Sequence, residues 1–232
     1  MDEDLQREMK PMKRFVLTIA VAVFGAALTF AQTAKDQDPD RMVQGGGKLP
    51  AGWQARLDNS SAKLDAVKFE ASGSGFHVTS GPAGIYFKPD QKGTGAYETH
   101  ATFTQLEPAA HPEAYGLIIG GSDLQSENQK YTYFLIRQDG KFLIKKRDGA
   151  STPNVMTWTE NAAIKKADAA GKATNALSVE VGADKVRFLV NGTEVASQPR
   201  SQVDTNGIAG LRINHNLNVQ VEGFGVKSAA SH

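Results

Sequence analysis

The side chains able to do chemistry in this chain are few and scattered. Glu98 and His100 stand two apart in "YETHATFT". On a strand, positions i and i+2 share one face about 7 Å apart. A glutamate beside an imidazole there could polarise a hydroxyl or a water. The same spacing also describes a solvated strand face carrying a mild charge pair. Glycoside hydrolysis usually needs two carboxyl groups about 5 to 9.5 Å apart. Acids at i and i+2 occur only in the first eleven residues and in "DQDPD". Acids from different strands can still meet, so this weakens a hydrolase without excluding one. Tyr131, Tyr133 and Trp158 have flat faces suited to the apolar side of a sugar ring. Arg137 and Arg212 are planar forks for hydroxyls or a carboxylate. Core or rim packing is the competing use of the aromatics.

Other chemistries find less support. No His-x-His or His-x-x-x-His spacing is present, so no transition-metal site is expected. "DLQSENQ" at 123–129 is rich in oxygen ligands but lacks the spacing of a calcium loop. "GSGFHVTSG" and "GTGAYE" do not complete a dinucleotide fingerprint before a helix and read as turns. No cofactor is expected. Lys+Arg is 26 against Asp+Glu 25, which offers no basic field for nucleic acid.

The elements that must position these residues are strands. "NALSVEVGADKVRFLVNGTEVAS" alternates, turns at Ala183-Asp184, alternates again and turns at Asn191-Gly192. The pairs are Val181 with Val186, Val179 with Phe188 and Leu177 with Val190, all apolar on one face. Asn191-Gly192 supplies the two positive-φ positions of a type I′ turn, and the next strand sets Val195 opposite Phe188. A one-residue slip would turn this whole set into water. A second hairpin, "YTYFLIRQDGKFLIKKR", turns on Asp139-Gly140. There Phe134 and Ile136 share a face with Leu143, and Tyr133, Leu135 and Arg137 share the other with Phe142 and Ile144. Apolar groups on both faces imply a central strand pair whose outer face is covered or lines a groove. Further strands are expected near 52–58, 67–72, 75–80, 84–88, 96–105, 114–120, 206–213 and 217–226. Residues 160–174 read as a loop with at most a turn or two of helix. Many short strands and no βαβ rhythm predict an all-β, two-sheet antiparallel sandwich.

From Met12 the chain reads "MKRFVLTIAVAVFGAALTFAQTAKDQ", with a basic start, an apolar run and a small-residue exit. This is the pattern of a secretory signal peptide over residues 1–31, with Met12 as the natural start. Residues 32–49 are polar with a Gly triplet and read as a flexible linker to a domain over 50–227, followed by a tail at 228–232. Cys is absent, so no disulfide and no lipidated cysteine is expected. The expectation is a periplasmic or extracellular protein without a stable membrane anchor after cleavage.

The run "YTYFLIRQDGKFLIKKRDG", then "NALSVEVGADKVRFLVNGTEVAS", then "NGIAGLRINHNLNVQVEGFGV" resembles the concanavalin A-like/laminin G-like jelly-roll superfamily. The likeness covers residues 50–227 and is nearest to secreted bacterial domains of the 3-keto-disaccharide hydrolase type. It implies a jelly roll of two curved sheets, often with a carbohydrate-facing concave side. The matched motifs are turns and core strands, so they imply a fold rather than a reaction. Members that cleave β-glucans carry a Glu-x-Asp-x-Glu-like strand, which this chain does not. Three readings remain: a lectin-like module binding carbohydrate without catalysis, a hydrolase or lyase of the 3-keto-glycoside type, and an envelope protein-interaction module. The site expected for the first draws on some of Glu98, His100, Tyr133, Arg137, Trp158 and Arg212, converging on one concave sheet face.

Overall fold

A computed structural model describes residues 39–228, and the expected leader and most of the tail lie outside the described residues. The architecture is a two-sheet antiparallel jelly-roll sandwich. One sheet contains β1 (Gln54–Leu57), β4 (Gly84–Gly93), β6 (Ala114–Ser122), β7 (Lys130–Arg137), β8 (Lys141–Asp148), β9 (Asn154–Glu160) and β13 (Gly207–Ile213), in the order β1-β4-β13-β6-β7-β8-β9. The other contains β2 (Val67–Ser72), β3 (Gly75–Ser80), β5 (Tyr97–Gln105), β10 (Ala173–Val181), β11 (Lys185–Val190), β12 (Thr193–Pro199) and β14 (Asn218–Ser228), in the order β12-β11-β10-β5-β14-β3-β2. We call these sheets A and B. Among the described residues the helical content is two single 3₁₀ turns, at Leu64–Ala66 and Arg200–Gln202. The 160–174 segment runs from the last residue of β9 through turns to the start of β10.

Period-two alternation decides which side chains meet between the sheets. β5 alternates buried and half-buried along its whole length, with Tyr97, Thr99, Ala101 and Phe103 inward. Phe134, Phe142 and Phe188 meet across the sandwich, the ring centroids of Phe134 and Phe188 lying 5.3 Å apart. Trp53 closes one part of the core against Phe69 and Phe76, at 5.0 and 4.9 Å. Such offset and edge-on pairs add to the burial of large apolar surface.

The β10–β11 hairpin has the expected register, with Val181 opposite Val186, Val179 opposite Phe188 and Leu177 opposite Val190. Asn191 and Gly192 take φ of 51° and 78°, as a type I′ turn requires. One detail differs. A bulge after Phe188 sets it opposite Ala196 in place of Val195. An extra residue on one strand shifts every later pair by one.

The β7–β8 hairpin corrects a larger expectation. Arg137 pairs with Lys141, so the loop is Gln138-Asp139-Gly140, three residues and not two. Gly140 closes it with φ 84° and a hydrogen bond from its N–H to the Arg137 carbonyl at 3.1 Å. The added loop residue moves the register by one. Phe134 and Ile136 now share the inner face with Ile144 and Phe142, while Leu135 shares the outer face with Leu143.

Two other expectations change. β9 was not among the strands read from sequence, because "NVMTWTE" has no buried face and pairs only at the sheet edge. The expected linker is tied down where it is described. Arg41 donates to the carbonyls of Ser80 and Leu217 at 3.1 and 2.7 Å and pairs with Glu107. The Gly47 N–H lies 3.0 Å from the Leu64 carbonyl. Polar, Gly-rich composition predicts freedom only when the backbone finds no partners, and here it finds several.

Candidate functional site

The outer face of sheet A carries a second apolar cluster, separate from the core. Ile85, Phe87, Ile118, Tyr131, Tyr133, Leu135 and Leu143 belong to it. The register explains this. Residues paired across neighbouring strands point to the same side. Tyr133 is paired with Ile118 on β6 and with Lys145 on β8, and Tyr131 with Arg147 on β8. Arg212 on β13 is paired with Ile85 and Gly116, which sets it on this face too. Arg56 on β1 is opposite Ile85 from the other side. A floor of aromatic and aliphatic groups is thereby overlaid by guanidinium groups.

Arg212 is the centre of the face. It grips Asp58 with a forked pair of hydrogen bonds, Nη2 to Oδ2 at 2.6 Å and Nη1 to Oδ1 at 3.0 Å. Its guanidinium carbon stands 5.3 Å from the centre of the Tyr133 ring, within cation–π range. Its side chain is 12% exposed and that of Asp58 37%. Burial alone would raise the Asp58 carboxyl, but its hydrogen bond to Arg212 and the charges of Arg212, Arg147 and Arg56 hold it below the ordinary carboxylate range. Burial pushes the Tyr133 hydroxyl up to about 12, so it stays protonated at neutral pH.

The 123–129 loop helps cover this floor. Arg56 donates to the Gln125 carbonyl at 3.0 Å and to Glu127 at 2.8 Å, and Leu124 is buried beneath the loop. The oxygen atoms read as possible calcium ligands are therefore engaged partly by an arginine and partly by the loop's own turn, as in the Ser126 N–H to Asp123 carbonyl bond. Among the described residues no group of three or more His, Cys, Asp or Glu side chains could hold a metal ion.

At the turn end of the β7–β8 hairpin, the Arg137 guanidinium carbon stands over Trp158, 4.4 Å from the ring centre. Asp139 holds Arg137 from the side through two bonds of 2.8 Å. Trp158 is 36% exposed, whereas Tyr133 is 6% exposed. Of the expected aromatic platforms, only Trp158 offers its ring to solvent. Tyr133 is a floor under Arg212.

Sheet A thus brings together Tyr133, Arg137, Trp158 and Arg212. It does not bring Glu98 and His100, and the expected six-residue site does not exist as such. Both are on β5 in sheet B, facing away from the core, with His100 opposite Ser178 and Gly225. The reason is chain crossing. Sequence alternation states which residues face outward, but the two sheets have opposite outsides. His100 Nδ1 is 3.6 Å from Glu98 Oε1, too far for a hydrogen bond. Burial and the charge of Lys227 lower the His100 pKa against the opposing effect of Glu98. Glu98 stands directly opposite Glu180 on β10. A cleft of about 450 Å³ lies there, lined by Glu98, Glu180, Lys185, Arg187 and Lys227 among others.

Sequence reasoning missed Arg56, Asp58, Lys145 and Arg147. The last two alternate with Leu143 in "FLIKKR", and the three-residue loop was the signal that would have put them on the Tyr133 face.

This geometry can be set beside known structures. The carbohydrate-binding module CBM66 from Bacillus subtilis superposes with a TM-score of 0.56 at 10% identity, over 81% of this chain and all of that one. The two share a jelly-roll sandwich fold. A Bacillus subtilis protein of unknown function with a galectin-like fold gives 0.55 at 10% identity, over 78% of this chain and 90% of that one. The family 7 alginate lyase A1-II′ gives 0.51 at 10% identity, over 77% and 95%. At this identity the likeness speaks for the fold alone. No protein-family model and no curated protein matches the chain in sequence.

Proposed function

We propose that this jelly roll is an exported, lectin-like module that binds a glycan along the outer face of sheet A without turning it over. The observation that carries the reading is the Arg137–Trp158 stack at 4.4 Å, a half-exposed indole and a fixed fork side by side. An indole face takes the apolar side of a sugar ring, and the guanidinium takes its hydroxyls. Two acids at this face do not suit general-acid chemistry. Asp58 and Asp139 are each engaged by an arginine and held ionised, so neither is a proton donor near neutral pH. The reading calls on no metal and no cofactor. A carbohydrate-binding module and an alginate lyase share the fold, which supports a carbohydrate ligand. The basic and apolar pattern at 12–31 supports export.

The test is calorimetric titration against a panel of soluble glycans, with 3-keto-glucosides included and products followed by chromatography. The expected result is binding without product, weakened about tenfold or more by Trp158→Ala and by Arg137→Ala at unchanged melting temperature. Binding that neither substitution affects would refute the site.

A second reading has one observation in its favour. Glu98 and Glu180 are directly opposed on neighbouring strands, the cross-strand arrangement that sequence spacing could not show. Directly paired positions have Cβ atoms about 5 Å apart, within reach of a two-carboxylate mechanism. Turnover of any panel member, abolished by Glu98→Gln, would establish this hydrolase reading in place of the first.

A further inference from the structure

We propose that the glycan held by sheet A is acidic, a chain of hexuronate residues whose carboxylates are bound by Lys145 and Arg147 beside Arg212. This rests on the reading of that face as a glycan site. The observation is a local excess of positive charge concealed by the whole-chain balance of 26 basic and 25 acidic residues.

Arg56, Arg137, Lys141, Lys145, Arg147 and Arg212 occupy outer-face positions of sheet A. Four of them have acidic partners. Arg212 is paired with Asp58, Arg56 with Glu127, and Arg137 and Lys141 share Asp139. Among the described residues, no carboxylate lies within ion-pair distance of Lys145 or Arg147. Arg147 goes further. It is half-buried, its side chain makes no hydrogen bond within the described residues, and its Nε is enclosed without an acceptor. The Nε of Arg212 is enclosed in the same way. Enclosed donors are nearly always paired in folded proteins. The enclosed Nε fixes the group without an acceptor in the fold, and the Nη donors of Arg147, which are not enclosed and make no bond within the described residues, are placed to take one from solution.

The surroundings select the acceptor. Lys145 and Arg147 stand directly opposite Tyr133 and Tyr131, and Arg212 reaches the same two rings from the other side. Three cations therefore bracket one aromatic floor. Sugar hydroxyls do not need three charges, whereas a carboxylate takes a forked, charge-assisted pair from arginine, strengthened where water is partly excluded. The hairpin then carries Lys141 and Arg137, with Trp158, to its far end. From Arg147 to Lys141 is six residues, about 20 Å of extended strand, so the cations form a row that fits a polymer better than a single small anion. Nucleic acid fits less well. Single-stranded sites use several exposed aromatic platforms, and Trp158 is the one large aromatic exposed here among the described residues.

The test uses the intact protein and three soluble probes: an oligogalacturonate, the same oligomer with its carboxyl groups reduced to hydroxymethyl groups, and a sulfated dextran. The expected result is oligogalacturonate binding about tenfold or more tighter than the reduced oligomer, and weaker at high salt. Lys145→Gln and Arg147→Gln should each weaken the uronate about tenfold and leave the affinity for the reduced oligomer unchanged. Where Arg147→Gln lowers the melting temperature, Lys145→Gln carries the comparison. Equal affinity for the two oligomers, or indifference to both substitutions, would overturn the acidic-ligand proposal while the glycan reading stands. Sulfated dextran binding as tightly as the uronate would overturn carboxylate selectivity. No binding to any glycan, here or on the wider panel, would remove the underlying reading.

Discussion

Asp58→Asn is the substitution whose cost the structure specifies best. It keeps the size of the side chain and removes the charge that answers Arg212. Arg212 would remain charged, 12% exposed, with its two short bonds to Asp58 replaced by at most one weaker bond. Stranding one member of a fully buried pair costs about 3–5 kcal/mol. An exposed pair contributes about 0.2–1 kcal/mol. Asp58 is 37% exposed, so the pair is intermediate, and about 2 kcal/mol is expected. For a domain of this size that is a fall of about 4–8 °C in melting temperature. The pH dependence follows from the direction of the shift. The Asp58 carboxyl lies below its ordinary value of 3.8 in the fold. Its contribution is therefore complete above the unfolded-state value and is lost as pH falls through the folded one. Urea melts followed by circular dichroism should show the gap between the wild type and Asp58→Asn at neutral pH closing in strong acid. In an Arg212→Met background the same substitution should cost little, because no stranded charge is left. A gap that persists unchanged at pH 2, or no gap at pH 7, would refute the argument.

Three further outcomes are expected. Gly192→Val should lower stability by about 1–3 kcal/mol from backbone strain alone, since φ is 78° and no atom lies within 4 Å of an added Cβ. Glycan binding per folded molecule should be unchanged, which titration below the melting range would check. Gly93→Ala should cost about 1–3 kcal/mol in thermal melts. There the new Cβ would fall 2.2–2.4 Å from ring atoms of Tyr97, whose hydroxyl donates to the Thr205 carbonyl. The His100 imidazole should titrate below its ordinary 6.5 in an NMR pH series, and Lys227→Ala should raise it. A value above 6.5 would contradict the burial assigned to it.

Much of the fold could be read from local pattern, and the candidate site could be read only in part. The strand from Tyr97 to Gln105 alternates so regularly that its inner and outer residues are visible without coordinates. Trp158 and Arg137 were recognisable as candidates by residue type, yet their stacking depends on β9, a strand with no buried face to announce it. Arg147 and Lys145 were hidden by a single loop residue, because side-chain direction has period two and one extra residue inverts it.

The sequence by itself determined the strands that have one buried face, and their inward residues where the alternation is unbroken, as along Tyr97–Gln105. The Asn191-Gly192 turn set the start of the β11–β12 pairing, Val190 opposite Thr193, since positive φ at both residues leaves one hairpin geometry compatible with strand twist. Only the tertiary structure decided which outward faces coincide. Arg212 and Tyr133 meet because β13 inserts beside β6 after a separation of 79 positions in the chain, and His100 is excluded because β5 crosses to the other sheet. Strand order is set by the summed packing of two whole sheets, a non-local quantity, so no alternation within one strand records it. The charge partners obey the same limit. Asp58 neutralises Arg212 across 154 positions, whereas among the described residues no acid comes within ion-pair distance of Lys145 or Arg147, and the Arg147 charge acts on Asp58 only at longer range.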